Sequence, residues 1–294
     1  MKRNVILMGG KTHVLSLPSA WIKKYGIQKG EELDVEERGN QVIVSTERNS
    51  DGGEIEVDFS ALNVMLGRAV GGLYKAGYDK IKVKFETKEQ LQKIEETLHR
   101  TCVGFQVTKQ GENYVLIECI SEVIPEEFDK SLKRLFFSIE SMNQDLVEAM
   151  ENKDVEALKK IIDKDDQINR LADFCRRVLN KDETQILLSS GSVYYIVEQL
   201  ERLGDYYKAI AGRLIDRKIG FTKKDVELFK ALGDYFILLR ELYYDFNLER
   251  YEFFGVKRKE LLSLVPEKSD LLWYQGFILE TVFEMNGILA TKRL

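Results

Sequence analysis

Three pairs of oxygen-bearing side chains stand four residues apart in the C-terminal half of this 294-residue chain: Asp165 with Asn169, Glu201 with Asp205, and Glu280 with Glu284. On a helix, that spacing sets both members on one side, about one turn apart. Two such faces on neighbouring helices would offer a hard or borderline divalent cation several oxygen ligands. Glu198 extends the second set away from the apolar stripe of its own helix. Ordinary solvated helix faces carry the same spacing, and Arg170 and Arg202 lie near enough in sequence to neutralise these acids. Both readings stand at this point.

Other chemistries fail on residue identity. Gly9-Gly10-Lys11-Thr12 ends like a phosphate loop, but Val5 stands where that loop requires its first glycine. His13 and His99 are far apart, and His99 with Cys102 lacks a second pair to complete a zinc site. No GxSxG or GxGxxG occurs. A metal-dependent hydrolase built on the carboxylate pairs would need a general base in a pocket, whereas these acids read as exposed. The expectation is a protein that is not an enzyme and has no organic cofactor. Three cysteines, Cys102, Cys119 and Cys175, form neither a CxxC nor an even framework, which fits a reducing compartment. The opening MKRNVILMGG is short for a secretory leader, and no run of 18 apolar residues occurs. The chain is expected in the cytoplasm and not across a membrane.

The elements that must position these residues fall into three segments. With 44% apolar and 32% charged residues, the chain can build cores. From Pro125 onward the apolar period is helical. Phe128, Leu132, Leu135, Ile139, Met142 and Leu146 form one stripe, and Val193, Ile196, Leu200, Leu203, Tyr207, Ile210 and Leu214 form another. Phe229, Leu232, Phe236, Leu239, Tyr243 and Phe246 form a third. Alternating steps of three and four suit bundle helices, predicted at 126–151, 154–180, 183–217, 222–250 and 268–292. Residues 54–120 read as strand, helix, strand, helix and two closing strands about the turn at 110–113, a small α+β module of ferredoxin-like kind. Residues 1–47 read as short strands with a helix between Pro18 and Gly26, closing in a hairpin across Arg38-Gly39-Asn40. Arg48 to Gly53 reads as a linker.

Charge is divided unevenly. The first 30 residues hold Lys2, Arg3, Lys11, Lys23, Lys24 and Lys29 with no acid, a charge of +6. The whole chain carries −5, so the remainder carries −11. A basic head on an acidic body suits an anionic partner, nucleic acid foremost, or a simply solvated lysine-rich face. About 45 residues make too small a core to stand alone, so this unit should pair with its own copy or lean on the body. Trp21 reads as packing.

Asp165-Asp-Gln-Ile-Asn169, Leu171 and the run Gln199-Leu-Glu-Arg-Leu-Gly-Asp-Tyr-Tyr-Lys-Ala-Ile-Ala211 resemble the PhoU family of phosphate-uptake regulators over about 126–217. Leu279 to Leu289 resembles a degraded second copy that lacks the D-x-x-I-N segment. The N-terminal run from Leu7 through Lys11, Thr12 and Pro18 to Gly30 resembles the AbrB/MazE/SpoVT swapped-hairpin barrel, in which two chains interleave.

The combination implies a mostly α, α+β protein: an AbrB-like barrel at 1–47, the α/β module at 54–120 and a PhoU-like bundle at 125–294. It implies a cytoplasmic homodimer that regulates transcription in phosphate or metal homeostasis and binds double-stranded DNA through Lys2, Arg3, Lys11, Thr12, Lys23 and Lys24. Surface-bound iron, zinc or a similar divalent cation would sit at Asp165, Asn169, Glu201 and Asp205, with Glu280 and Glu284 as a weaker second set. The alternative is an adaptor that does not bind DNA and acts on a phosphate transporter subunit or a signalling protein through its helices.

Overall fold

A computed structural model describes residues 2–38, 41–46, 53–120, 125–181, 190–266 and 268–293. The expected turn at Gly39-Asn40, most of the expected linker and the start of the third predicted bundle helix lie outside these residues. The chain forms two compact units, Met1–Gly52 and Gly53–Leu294.

In the first unit, β1 (Ile6–Met8) pairs antiparallel with β2 (Thr12–Val14), with Ile6 opposite Val14. Gly9 and Gly10 make the reversal at φ of 61° and 75°, where a side chain would strain the backbone. Pro18 precedes α1 (Ser19–Tyr25), and Gly26 closes it in the left-handed conformation. A second hairpin joins β3 (Asp34–Arg38) to β4 (Gln41–Ser45). The two hairpins form separate two-stranded ladders. None of this unit's residues whose exposure is described is buried, and Val5, Ile6, Leu7 and Met8 are all more than half exposed.

The second unit opens with an α/β layer. Its elements are β5 (Glu54–Asp58), α2 (Leu66–Lys75), β6 (Lys80–Lys84), α3 (Lys88–Thr101), β7 (Phe105–Gln110) and β8 (Tyr114–Cys119). The strand order is β5-β6-β8-β7, with only β5 and β6 parallel. This corrects the ferredoxin-like expectation. That fold runs β-α-β-β-α-β, whereas here both helices precede the final hairpin, which the turn at 110–113 closes on itself. Strict alternation explains the two faces. Ile81, Val83, Val115 and Ile117 bury with Val70, Tyr74 and Ile94, while Glu56 on the other face pairs with Lys82 at 3.1 Å and Lys84 at 2.7 Å.

The remaining elements are α4 (Pro125–Asn152), α5 (Val155–Lys181), α6 (Ser190–Ile215), α7 (Lys223–Tyr244), α8 (Leu248–Leu264), α9 (Leu272–Glu284) and α10 (Asn286–Arg293). The first predicted stripe is wholly buried, and the other two are buried except at their C-terminal ends. Two predicted helices divide. The one expected over 222–250 stops at Tyr244 because Asn247 caps a new helix, its Oδ1 accepting from the backbone N–H of Glu249 (2.9 Å) and Arg250 (3.1 Å). The one expected over 268–292 starts at Leu272 and divides at Met285 into α9 and α10. The α/β layer and the bundle keep separate apolar cores.

Candidate cation cluster and basic N-terminal face

Helices α5 and α6 bring the first two acid pairs face to face. Asp165, on α5, is 1% exposed. Its Oδ2 accepts from Asn169 Nδ2 at 2.9 Å and from Lys208 Nζ, on α6, at 2.5 Å. Its Oδ1 is buried with no hydrogen-bond partner, which is costly for a carboxylate. Asp205 lies within the field of both Asp165 and Glu201. Burial first, then those two charges, push its carboxyl above the ordinary range.

Glu201 takes a separate partner. Arg176 of α5 donates to Glu201 Oε2 at 2.5 Å, to Asp173 Oδ1 at 2.7 Å and to Glu198. Arg176 is 3% exposed. Burial opposes its charge, and Glu201, Asp173 and Glu198 outweigh that opposition and raise its pKa. The cations that meet these acids are therefore Lys208 and Arg176, where Arg170 and Arg202 were the candidates in sequence. Lys208 stands three residues from Asp205 and seven from Glu201, on the same helix face, which was the available signal. Arg176 lies a helix turn beyond Asp173, but its reach across to α6 depends on the packing.

The third pair is dispersed. Arg258 of α8 engages both oxygens of Glu280 at 2.8 and 2.7 Å, and Tyr195 donates to Glu284 at 3.2 Å. Among the described residues no three His, Cys, Asp or Glu side chains are gathered as a metal would need. The site residues thus sort into one charge-rich α5–α6 seam and a second pair held by Arg258 at Glu280 and by Tyr195 at Glu284.

In the N-terminal unit, Lys2, Arg3, Lys11, Thr12, Lys23 and Lys24 are all exposed. Lys2 and Arg3 precede β1, Lys11 is in the glycine turn, Thr12 opens β2, and the lysine pair ends α1. Arg3 Nη1 donates to Ser16 Oγ at 3.0 Å, tying the two ends of the hairpin. Lys24 Nζ lies 4.8 Å from the Tyr25 ring centre, and Trp21 meets Tyr25 edge-on at 5.7 Å, as a packing residue does.

The chain thus carries a small basic β-hairpin unit, an α/β layer and a long helical bundle. Residues 132–214 match the PhoU domain family, and residues 6–51 match the family described as antidote-toxin recognition MazE, bacterial antitoxin. The chain therefore carries a PhoU-like domain over 132–214 and a MazE/AbrB-like domain over 6–51. The PhoU match covers α5 and α6, hence all four residues of the first two pairs, and stops before Glu280. No curated protein and no solved structure matches the chain significantly. Among the described residues no helix is long and apolar enough to cross a membrane.

Proposed function

We propose that this protein is a homodimeric, cytoplasmic, DNA-binding regulator of phosphate or metal homeostasis, with the helical body as its input. The observation that carries the reading is that no residue of described exposure in the N-terminal unit is buried. Its exposed Val5, Ile6, Leu7, Met8, Val35 and Val42 need apolar cover, which a second copy of the same hairpins supplies by closing a shared barrel at 1–47. Pairing also doubles the +6 of the first 30 residues on one compact body, enough for several phosphate contacts. Arg3 suits a guanine edge because its fork bonds two acceptors at once, whereas Lys23 and Lys24 suit phosphates. Residues 54–120 and 125–294 are the connecting layer and the bundle. Both matched families are regulatory and not catalytic, which supports a role other than enzyme.

The α5–α6 seam is proposed as the input site for a divalent cation such as iron or zinc. The buried, unpartnered Oδ1 of Asp165 and the acid surplus around Asp205 fit a cation there. Asp165, Asn169, Glu201 and Asp205 would hold it, and Lys208, about two-fifths exposed, has solvent to move into. Glu280 and Glu284 fit less well, because Arg258 already neutralises Glu280.

A second reading, an adaptor acting on a phosphate transporter subunit or a signalling protein, is favoured by Trp273 and Phe277. They stand 71% and 47% exposed on α9, in ring contact with each other, and Phe277 also stacks on Tyr206. DNA binding separates the two. The intact protein should prefer its own upstream region over a scrambled duplex across roughly 50–300 mM salt, with affinity falling steeply as salt rises. An Arg3→Ala variant should lose most of that preference, and residues 53–294 all of it. Equal weak binding to both duplexes would reject the regulator in favour of the adaptor.

A further inference from the structure

Strands β5 and β6 lie side by side in parallel and end at the same edge of the α/β layer, with Asp58 opposite Lys84. Beyond that edge the chain enters two segments, 59–65 leading to α2 and 85–87 leading to α3. In open α/β sheets, ligands settle in the crevice outside the carboxyl ends of parallel strands. A cavity of about 720 Å³ opens at that place, bounded by the 59–65 loop and the first turns of α3. Its size lies within the roughly 300–1,000 Å³ of small-molecule sites.

One buried side chain fixes the walls. Gln90, on α3, is 8% exposed. Its Nε2 donates to the carbonyls of Ser60 (2.8 Å) and Leu62 (2.7 Å), and its Oε1 accepts from the backbone N–H of Glu86 (2.8 Å) and Thr87 (3.1 Å). The two segments are thereby tied together before any ligand arrives, which lowers the cost of binding.

The lining is apolar at Leu62, Val64 and Leu66 and charged at Glu89 and Lys93. Val64 is 88% exposed and Leu66 1%, so the apolar side runs from rim to floor. Glu89 and Lys93 stand four apart on α3, hence on one side of the helix. Neither has an ion-pair partner among the described residues, whereas Lys130 and Lys159 each close on a glutamate of their own helix at 2.7 Å. The start of α3 keeps Glu89 charged: its own amide, then the Thr87 hydroxyl, hold its carboxyl below the ordinary range. The stem of Lys93 lies against α2 at Gly67, where an added methyl would touch its Cε at 3.6 Å. A simple anion would meet Glu89 here and a simple cation would meet Lys93, whereas a molecule bearing both charges satisfies both.

We propose that this crevice binds a free α-amino acid with a large apolar side chain. Its carboxylate pairs with Lys93, its ammonium with Glu89, and its side chain lies against Leu62, Val64 and Leu66. Neither DNA nor a metal ion is required, so the α/β layer has an input of its own.

The test uses the full chain and isothermal calorimetry with L-phenylalanine as the probe. Wild type should bind it. N-acetyl-L-phenylalanine lacks the ammonium and phenethylamine lacks the carboxylate, so each should bind about tenfold more weakly or worse, the scale of one lost hydrogen bond between charged groups. Lys93→Gln should weaken L-phenylalanine by a similar factor but leave phenethylamine no weaker, because that analogue has nothing for Lys93 to hold. Glu89→Gln should likewise weaken L-phenylalanine but leave N-acetyl-L-phenylalanine no weaker. Circular dichroism checks that both variants fold, and the analogue series on wild type decides by itself if either does not. Absence of L-phenylalanine binding at millimolar concentration would overturn the assignment. So would analogues that bind as tightly as the amino acid, or folded Lys93→Gln protein with unchanged affinity.

Discussion

Asn143 shows how narrowly single side chains are fitted in the bundle. It is 4% exposed on α4, and its Nδ2 donates to the Tyr207 hydroxyl at 3.2 Å and the Phe229 carbonyl at 3.1 Å. It therefore joins three helices at one point. Gly233 on α7 makes room for it, since a methyl there would sit 2.2 Å from Asn143 Oδ1. Gly233→Ala should cost about 2–4 kcal/mol, because it overpacks the site and breaks buried hydrogen bonds together. Urea unfolding would show it as a lower midpoint, and an unchanged midpoint would mean that the bundle is far more yielding here than its packing implies. Neither residue stood out in the sequence, where an asparagine and a glycine on helices carry no spacing signal. The acid pairs did, because four-residue spacing fixes which side of a helix they share. Their partners did not: whether Arg176 or Arg170 meets the α6 acids depends on how α5 is rotated against α6.

At the scale of elements, local signals placed the helices well and failed where one element ends on another's support. Asn247 interrupts an apolar stripe that runs on to Phe246, and in sequence the stripe prevailed over the cap. The start of α7 depends on a buried knot. Thr222 Oγ1 accepts from the Asp225 N–H, and Asp225 Oδ2 accepts from the Thr222 N–H and hydroxyl, both at 2.7 Å. Oδ1 reaches across to Ser269 Oγ at 2.6 Å and Gln275 Nε2 at 2.9 Å, pinning the start of α9. Burial alone would raise the Asp225 carboxyl, but the donors from Ser269, Thr222 and Gln275 outweigh it and lower its pKa. A carboxyl depressed in the folded state stabilises the fold above its unfolded pKa, and that contribution is lost as pH falls through the folded value. Asp225→Asn should thus cost about 1.5–3 kcal/mol at pH 7, the range for hydrogen bonds to a charged group. The gap to the wild type should close in acid below about pH 4. A deficit that stays constant down to about pH 3 would show that the charge contributes nothing.

On the scale of the whole molecule, the two units differ in what makes them stable. Residues 53–294 carry two apolar cores of their own, whereas no residue of described exposure in the first unit is buried. If a second copy completes that unit, its melting must depend on protein concentration, while that of the bundle need not. Replacing Leu7 with Glu should give a monomer by light scattering, with the helical circular dichroism signal retained. A stable dimer in that variant would place the dimer contact elsewhere. Periodicity in the chain was sufficient for the bundle stripes, the four-stranded layer, the glycine turns and the basic head, because each follows from steps of two, three or four residues and from local backbone preference. The order β5-β6-β8-β7, the tie of Gln90 to the loop after β5 and the orphaned Oδ1 of Asp165 arise from contacts between residues tens of positions apart. Local preference has no term for these. They are decided by which arrangement buries the two cores while leaving the fewest charges unpaired, and that balance exists only once the elements have packed.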